Sequence, residues 1–410
     1  MAGLAAPAAT GAPRGAIDQP AHWGAVYAMA LCSFVLVASE FMPVSLLSPI
    51  AHTLQLTEGQ AGQAIAISGV FAVVTSLSLS FILGNLDRRL VLLLLTGLLI
   101  VSGVIVAFAP SYLIFMGGRA LLGIAIGGFW SMSAAIAMRL VPDASVPKAL
   151  AVINGGNALA TVLAAPLGSF MGSMIGWRGA FFCVVPVAAA AVIWQALALP
   201  KLPAVARQGG NGMAALLRRP PVLFGLGTVA LLFVGQFSLF TYLRPFLEQV
   251  THVSVSMLSI MLLIVGVSGF IGTLLIGRVL EHRLYVTLGV LPAAMAAVAV
   301  ALTLFGESTI ATAALLAVWG LAGTAAPVAW WTWLARTAPD EAEAGGGLMV
   351  AIVQLAITLG ATVGGIVFDT AGAIPEFLTS GALLTLAALA AFAVARMHSR
   401  APVTRGTVAA

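Results

Sequence analysis

The chain has 410 residues, of which 61% are hydrophobic and only 8% charged, with a mean hydropathy of +1.10. Soluble domains carry charge on about a quarter of their residues, so 18 Lys/Arg and 13 Asp/Glu are too few to coat a water-soluble body of this size, and most of the outer surface must face lipid. At about 20 residues per apolar span the length accommodates roughly twelve helices and excludes a large separate catalytic domain, so no enzymatic activity is expected.

Residues 1–22 are rich in Ala, Gly and Pro with a single Arg14, lack the basic start and short apolar core of a signal peptide, and read as a flexible cytoplasmic tail. Apolar runs then follow at 23–48, 58–83, 89–109, 112–139, 148–173 and 179–199. A polar, basic stretch over 200–220, with Lys201, Pro203, Arg207, Gly209, Gly210, Arg218 and Arg219, reads as a cytoplasmic linker. Six further runs cover 221–247, 254–279, 284–305, 309–335, 345–368 and 374–396, and 397–410 forms a second cytoplasmic tail. Lipid accepts only helices or closed barrels, and these runs show no strand-like alternation. The expected class is an all-α membrane protein with twelve transmembrane helices, divided into six-helix halves at 23–199 and 221–396.

Lys and Arg accumulate in cytoplasmic loops. With both termini inside, fifteen of the 18 basic residues fall at or within the inner boundary; Arg119, Arg178 and Arg244 are the exceptions. The basic balance is therefore explained by topology, and no nucleic-acid partner is expected. Cys32 and Cys183 lie in apolar stretches and read as small buried hydrophobes rather than a disulfide pair. A weak repeat supports the two halves: Gly84 to Arg89 after the second span and Gly277 to Arg283 after the eighth each combine a helix-ending Gly with an acid beside two Arg residues, as parallel six-helix repeats would.

An ionisable group inside the bilayer costs about 2.5 to 3.5 kcal/mol on insertion scales, so each needs a reason. Glu40 lies about seven residues before the outer end of the first span, and Arg119 about seven residues after the start of the fourth, which runs in the opposite sense. Both sit roughly 10 Å deep at 1.5 Å per residue, so the two charges are expected to meet and pair. Burial and a neighbouring guanidinium act on a carboxylate's proton in opposite senses, which suits Glu40 to proton uptake and release, with Arg119 as its tuner. A static buried ion pair is the plainer alternative. No Gly-rich loop ending in Gly-Lys-Ser/Thr and no His/Cys/Glu metal cluster is present in the sequence, so neither ATP nor any cofactor is expected.

The Gly117, Gly118, Gly123, Gly127, Gly128 run of the fourth span suits close helix packing. Aromatic and amide side chains at mid-span can stack on a ring and hydrogen-bond its edge; the candidates are Trp130, Ser131, Asn154, Asn157, Gln236 and Gln354. Trp330, Trp331 and Trp333, near the inner end of the tenth span, read first as interfacial anchors.

From 23 to 396 the chain resembles the major facilitator superfamily, in its proton-driven drug and metabolite efflux branch. Gly84, Asp87, Arg88 and Arg89 are a shortened form of that family's loop motif after the second helix, lacking its second Gly. Arg119-x-x-x-Gly123 is similar to its fourth-helix motif. Pro166-Leu167-Gly168 resembles its antiporter motif, with Ala165 in place of the usual Gly. Within the branch, Glu40-Phe41-Met42-Pro43, Gly127-Gly128-Phe129-Trp130-Ser131, Met138-Arg139-Leu140-Val141-Pro142 and Gly235-Gln236-Phe237 resemble strings of purine ribonucleoside exporters. The resemblance implies a proton-coupled antiporter that exports inosine- or guanosine-type nucleosides across a bacterial inner membrane by alternating access. It implies coupling through Glu40 and Arg119 and gating at Gly84, Asp87, Arg88, Pro166 and Gly168. Sugar or multidrug efflux by the same mechanism is the alternative, and a non-transporting sensor is the reading from another class. The expected partners are a small-molecule substrate, protons and the lipid bilayer, and the expected state is a monomer.

Overall fold

The computed structural model describes residues 21–82, 86–203 and 212–400. Among them all regular structure is helical: α1 (Trp23–Leu54), α2 (Glu58–Ile82), α3 (Arg88–Ala107), α4 (Tyr112–Leu140), α5 (Val146–Phe182), α6 (Val184–Ala198), the short α7 (Gly212–Leu217), α8 (Pro220–Thr241), the short α9 (Leu243–Gln249), α10 (Val255–Phe305), α11 (Thr309–Thr337), α12 (Ala342–Ala371) and α13 (Ala373–Arg400). Ten continuous helical stretches among the described residues are long and apolar enough to cross a bilayer. Two of these, 146–198 and 255–305, have 53 and 51 residues, about 80 and 77 Å at 1.5 Å per residue. That is more than twice a hydrocarbon core of about 30 Å, so each must be two spans, and twelve result.

The backbone breaks where those two runs must turn. Gly176 adopts φ 73°, ψ 164°, a conformation open to Gly for want of a Cβ, and Arg283 leaves the helical region at φ −131°, ψ 31°. Gly372, at φ 91°, makes the corner between α12 and α13. The helix does not end at Gly277, as the repeat suggested, but continues to the break at Arg283; Gly84, its counterpart, lies outside the described residues, as do tail residues 1–20 and 401–410 and linker residues 204–211. α1 also runs past the expected 48 to Leu54, with Pro43 and Pro49 inside it.

The face bearing the start of α1 is here called inner and the opposite face outer. In the first half α1 packs on α5 and α2 on α4, while α3 packs on α4 and α6; in the second, α10 packs on α11 and α13, and α8 on α12 and α13. The halves meet where α2 abuts α12 and α5 abuts α10. Small residues allow these approaches: at Gly266 of α10, a Cβ would stand 2.5 Å from the carbonyl oxygen of Val162 on α5. The same device joins α4 to α2, where Gly127 lies against the backbone of Ala72.

Hydrogen bonds between the halves join described residues at the outer ends and at mid-depth. Asp369, near the end of α12, accepts from Thr57 Oγ1 at 2.6 Å and from the Gly59 amide at 2.8 Å, placing a carboxylate at the N-terminus of α2, where helix amides favour an anion. Ser259 of α10 donates to Ser169 of α5 at 2.9 Å. Thr362 donates to Gln63 at 3.2 Å, and Thr358 to the Ala66 carbonyl at 3.3 Å. Toward the inner face, Ser131, Ala134, Ala135 and Met138 of α4 and Asn154 of α5 are exposed.

Candidate functional site

Glu40 and Arg119 meet at one level, as the helix arithmetic requires, but not as an ion pair. The buried Arg119 guanidinium donates to the carbonyl oxygens of Ala64 (2.9 Å), Ser39 (2.6 Å) and Glu40 (3.0 Å) and to Ser68 Oγ (3.1 Å). The reason lies in α1. A helical carbonyl normally accepts from the amide four residues on, and for Ser39 that residue is Pro43, which has no N–H. The orphaned oxygen of Ser39 is taken by Arg119, whose planar fork of donors suits several fixed acceptors at once.

The Glu40 carboxyl, 5% exposed, turns instead toward the other half of the molecule. Its Oε1 accepts from Gln354 Nε2 on α12 at 3.1 Å. Glu40 therefore bonds across the interface through its side chain while its own carbonyl is held by Arg119 within the first half. Gln354 was expected to face substrate; the structure makes it the partner of the acid.

Pro49 repeats the arrangement one turn and a half further out. It cannot donate to the carbonyl of Ser45, and that oxygen accepts from Arg244 Nη1 at the start of α9, in the other half. Arg244 is 4% exposed and also donates to Glu248 at 2.8 Å. Two prolines in α1 thus expose two carbonyls, one held from within the half and one gripped from across the interface. The sequence reading left Arg244 as a topological exception; Ser-x-x-x-Pro twice in one span was the signal that a buried donor was required.

Aromatic rings line the same interface. Phe41 stacks on Phe237 of α8 at 5.6 Å and meets Phe240 edge-on at 6.5 Å, and Phe237 stacks on Phe233 at 6.2 Å. Half-buried Trp130 packs with Phe34 and Phe41 beside Val37, Ala38, Ala160 and Ala164. The structure therefore brings Trp130 and Gln354 to the neighbourhood of Glu40. Gln236 turns into its own half, donating to the Gly323 carbonyl at 3.2 Å with its Oε1 unpartnered. Ser131 and Asn154 bond to carbonyls of their own helices, Gly128 and Leu150, and half-buried Asn157 lies on the same helix as Asn154. Phe41 and Phe237, inside strings already noted, were not singled out because a Phe in an apolar run carries no separate signal.

The residues assigned to gating serve packing and capping in this conformation. Asp87 caps α3, accepting from Arg89 N at 2.8 Å and from Leu202 N at 3.0 Å, while Arg88 N donates to Leu202 O at 2.8 Å. Pro166 is buried within α5, and Gly168 lies against Ser45 and Met42 of α1. Trp330 and Trp333, each 1% exposed, are not interfacial anchors. Their rings meet at 5.3 Å inside the second half, with Trp333 against Gly225; only Trp331 is exposed. Glu376, fully buried in the first turn of α13, was missed altogether.

Twelve apolar spans, a sealed outer face and a buried acid bonded across the interface between two helical halves define a multi-pass membrane transporter. Residues 29–361 match the Major Facilitator Superfamily, and the chain belongs to that family. It is 56% identical over 389 residues to the transcription regulatory protein OpdE of Pseudomonas aeruginosa, covering 94% of this chain and 96% of that one. It is 41% identical over 376 residues to the purine ribonucleoside efflux pump NepI of Salmonella typhimurium, covering 92% and 95%. Among solved structures, the inward-facing, unoccupied bacterial homologue of the lysosomal transporter Spinster superposes with a TM-score of 0.77 at 16% identity, covering 94% of this chain and 99% of that one; this likeness concerns the fold.

Proposed function

We propose that the protein is a proton-coupled antiporter that exports purine ribonucleosides across a bacterial inner membrane, both termini cytoplasmic, by alternating exposure of one central site. The observation that carries the reading is the bond from Gln354 to the Glu40 carboxyl across the interface. When the halves part, this bond breaks and water reaches the acid, so the protonation of Glu40 is tied to the conformation. A proton moved inward gains about 2.3 kcal/mol per 100 mV of membrane potential, a force that can drive export. Phe41, Phe237 and Trp130 offer ring faces to a base, and Gln354 offers a donor and acceptor to its edge; Gln236, through its unpartnered Oε1, and the inner amides Asn154 and Asn157 join it when the halves rearrange. The purine cargo is supported by the 41% identity to the nucleoside pump; sugars and drugs are the alternative cargo.

The test is efflux from vesicles under an imposed pH gradient. The protein should concentrate inosine against its gradient, and Glu40→Gln should abolish concentration while leaving inosine binding measurable. A Glu40→Gln protein that still concentrates inosine would remove the proton role. The 56% identity to a protein named as a transcription regulator favours a second reading, in which the chain affects gene expression. Under that reading purified protein moves no nucleoside, sugar or drug in vesicles.

A further inference from the structure

Glu376 has no part in the coupling just described, yet it is the most completely enclosed acid among the described residues. Its exposure is 0%. One carboxyl oxygen accepts from Ser238 Oγ of α8 at 2.7 Å, and the other, Oε2, has no partner. One turn on, Ser380 Oγ donates to the Gly235 carbonyl at 2.6 Å, locking α13 onto α8. Among the described residues no cation forms an ion pair with Glu376. An ionised carboxylate with one hydroxyl donor and no counter-ion costs far more in such a place than a neutral acid, whose unbonded hydroxyl is a single unsatisfied polar group.

The groups that cover Glu376 also seal the outer face. Phe377 beside it stacks on Phe246 of α9 at 4.1 Å, and α9 carries Arg244, which grips Ser45 of α1. Tyr242, one turn beyond Ser238, donates to the Ala361 carbonyl of α12 at 2.8 Å and abuts Gly62 of α2. The titratable groups toward this end of the surrounding elements are Tyr242 itself, Arg244 and Glu248 of α9, Asp369 of α12 and Glu58 of α2; those of α10, Arg278, Glu281, His282, Arg283 and Tyr285, cluster around its break at the inner end. Arg244 and Glu248 bond to each other, and Asp369 bonds to α2, so none of these neutralises Glu376.

We infer that Glu376 is a proton-binding site of the second half, filled in the conformation described here and linked to sealing of the outer face. With the outer ends parted, water reaches the carboxyl and it can ionise; closing α8 and α9 over it requires the neutral form. Protons on the outer side therefore favour the sealed state. The use of this site in transport rests on the antiport reading, but its occupancy does not, so the two fail separately.

Infrared spectroscopy of the purified protein in lipid at neutral pH tests the occupancy. Against a Glu40→Gln background, which removes the other buried central acid, the C=O stretch of an un-ionised carboxylic acid should be present, and Glu376→Gln should remove it. A spectrum without such a band, or one unchanged by Glu376→Gln, overturns the inference. Should that variant not fold, Ser238→Ala should shift the band by removing its hydroxyl donor, and an unshifted band overturns it equally. The link to sealing is read from spin labels at Thr53 and His252, on the outer ends of the two halves. Glu376→Gln, fixed in the neutral state, should keep the labels close at alkaline pH where the parent opens; an identical pH dependence of the two proteins refutes the link.

Discussion

Replacing Pro49 with Ala separates the stability of α1 from the stability of the outer seal. In the native chain the Ser45 carbonyl has no helical donor because Pro49 lacks an N–H, and Arg244 occupies it from the other half. Pro49→Ala restores the helical donor and removes a residue that costs a helix interior about 3 kcal/mol relative to Ala, so thermal stability should hold or rise. The seal should weaken. A hydrogen bond from a charged group is worth about 1.5 to 3 kcal/mol. A carbonyl has two lone pairs and can serve two donors in part, which reduces the expected loss to about 1 to 2 kcal/mol, a shift of roughly five- to thirtyfold toward the outward-open state. The assay is the distance between spin labels at Thr53 and His252 in a background lacking Cys32 and Cys183, read beside the melting temperature. A longer-distance population in Pro49→Ala with an unchanged or raised melting temperature is the expected result. An unchanged distance distribution would refute the idea that the proline-exposed carbonyl holds the seal.

Asp369→Ala removes the acceptor of both Thr57 and Gly59; because the group is exposed, the loss should be about 1 kcal/mol, seen as a smaller opening of the same labels. Arg119→Lys keeps the charge but not the fork, leaving at least one of four acceptors unpaired at a buried site; a loss of about 1 to 3 kcal/mol should appear as a lower melting temperature together with loss of efflux. Gly266→Val should clash with the Val162 backbone and prevent α5 and α10 from closing, trapping the outer face open, which cross-linking of cysteines at positions 169 and 259 would report as lost. Phe237→Ala removes the ring stacked on Phe41 and should weaken nucleoside binding by about 0.5 to 1.5 kcal/mol, measured by ligand-induced thermal stabilisation.

The composition of the chain determined that it spans a membrane, because partition between water and lipid is a property of each residue summed along a run. Spacing placed Glu40 and Arg119 at one level, since the rise per residue of a helix is fixed. What the level alone did not determine was which atoms meet there. Pro43 exposed a backbone oxygen that took the guanidinium, and that freed the Glu40 carboxyl for Gln354, more than 300 residues away. Glu376 stands two residues into an apolar run, where nothing in the sequence marks its depth; only the packing of α8 and α9 over the start of α13 decides that it is buried. Trp330 and Trp333, expected at the interface, are buried inside the second half, because an aromatic pair near a span end satisfies an interface or a helix bundle equally well. Depth along a helix is legible in one dimension, whereas the partner across an interface exists only once the halves have packed.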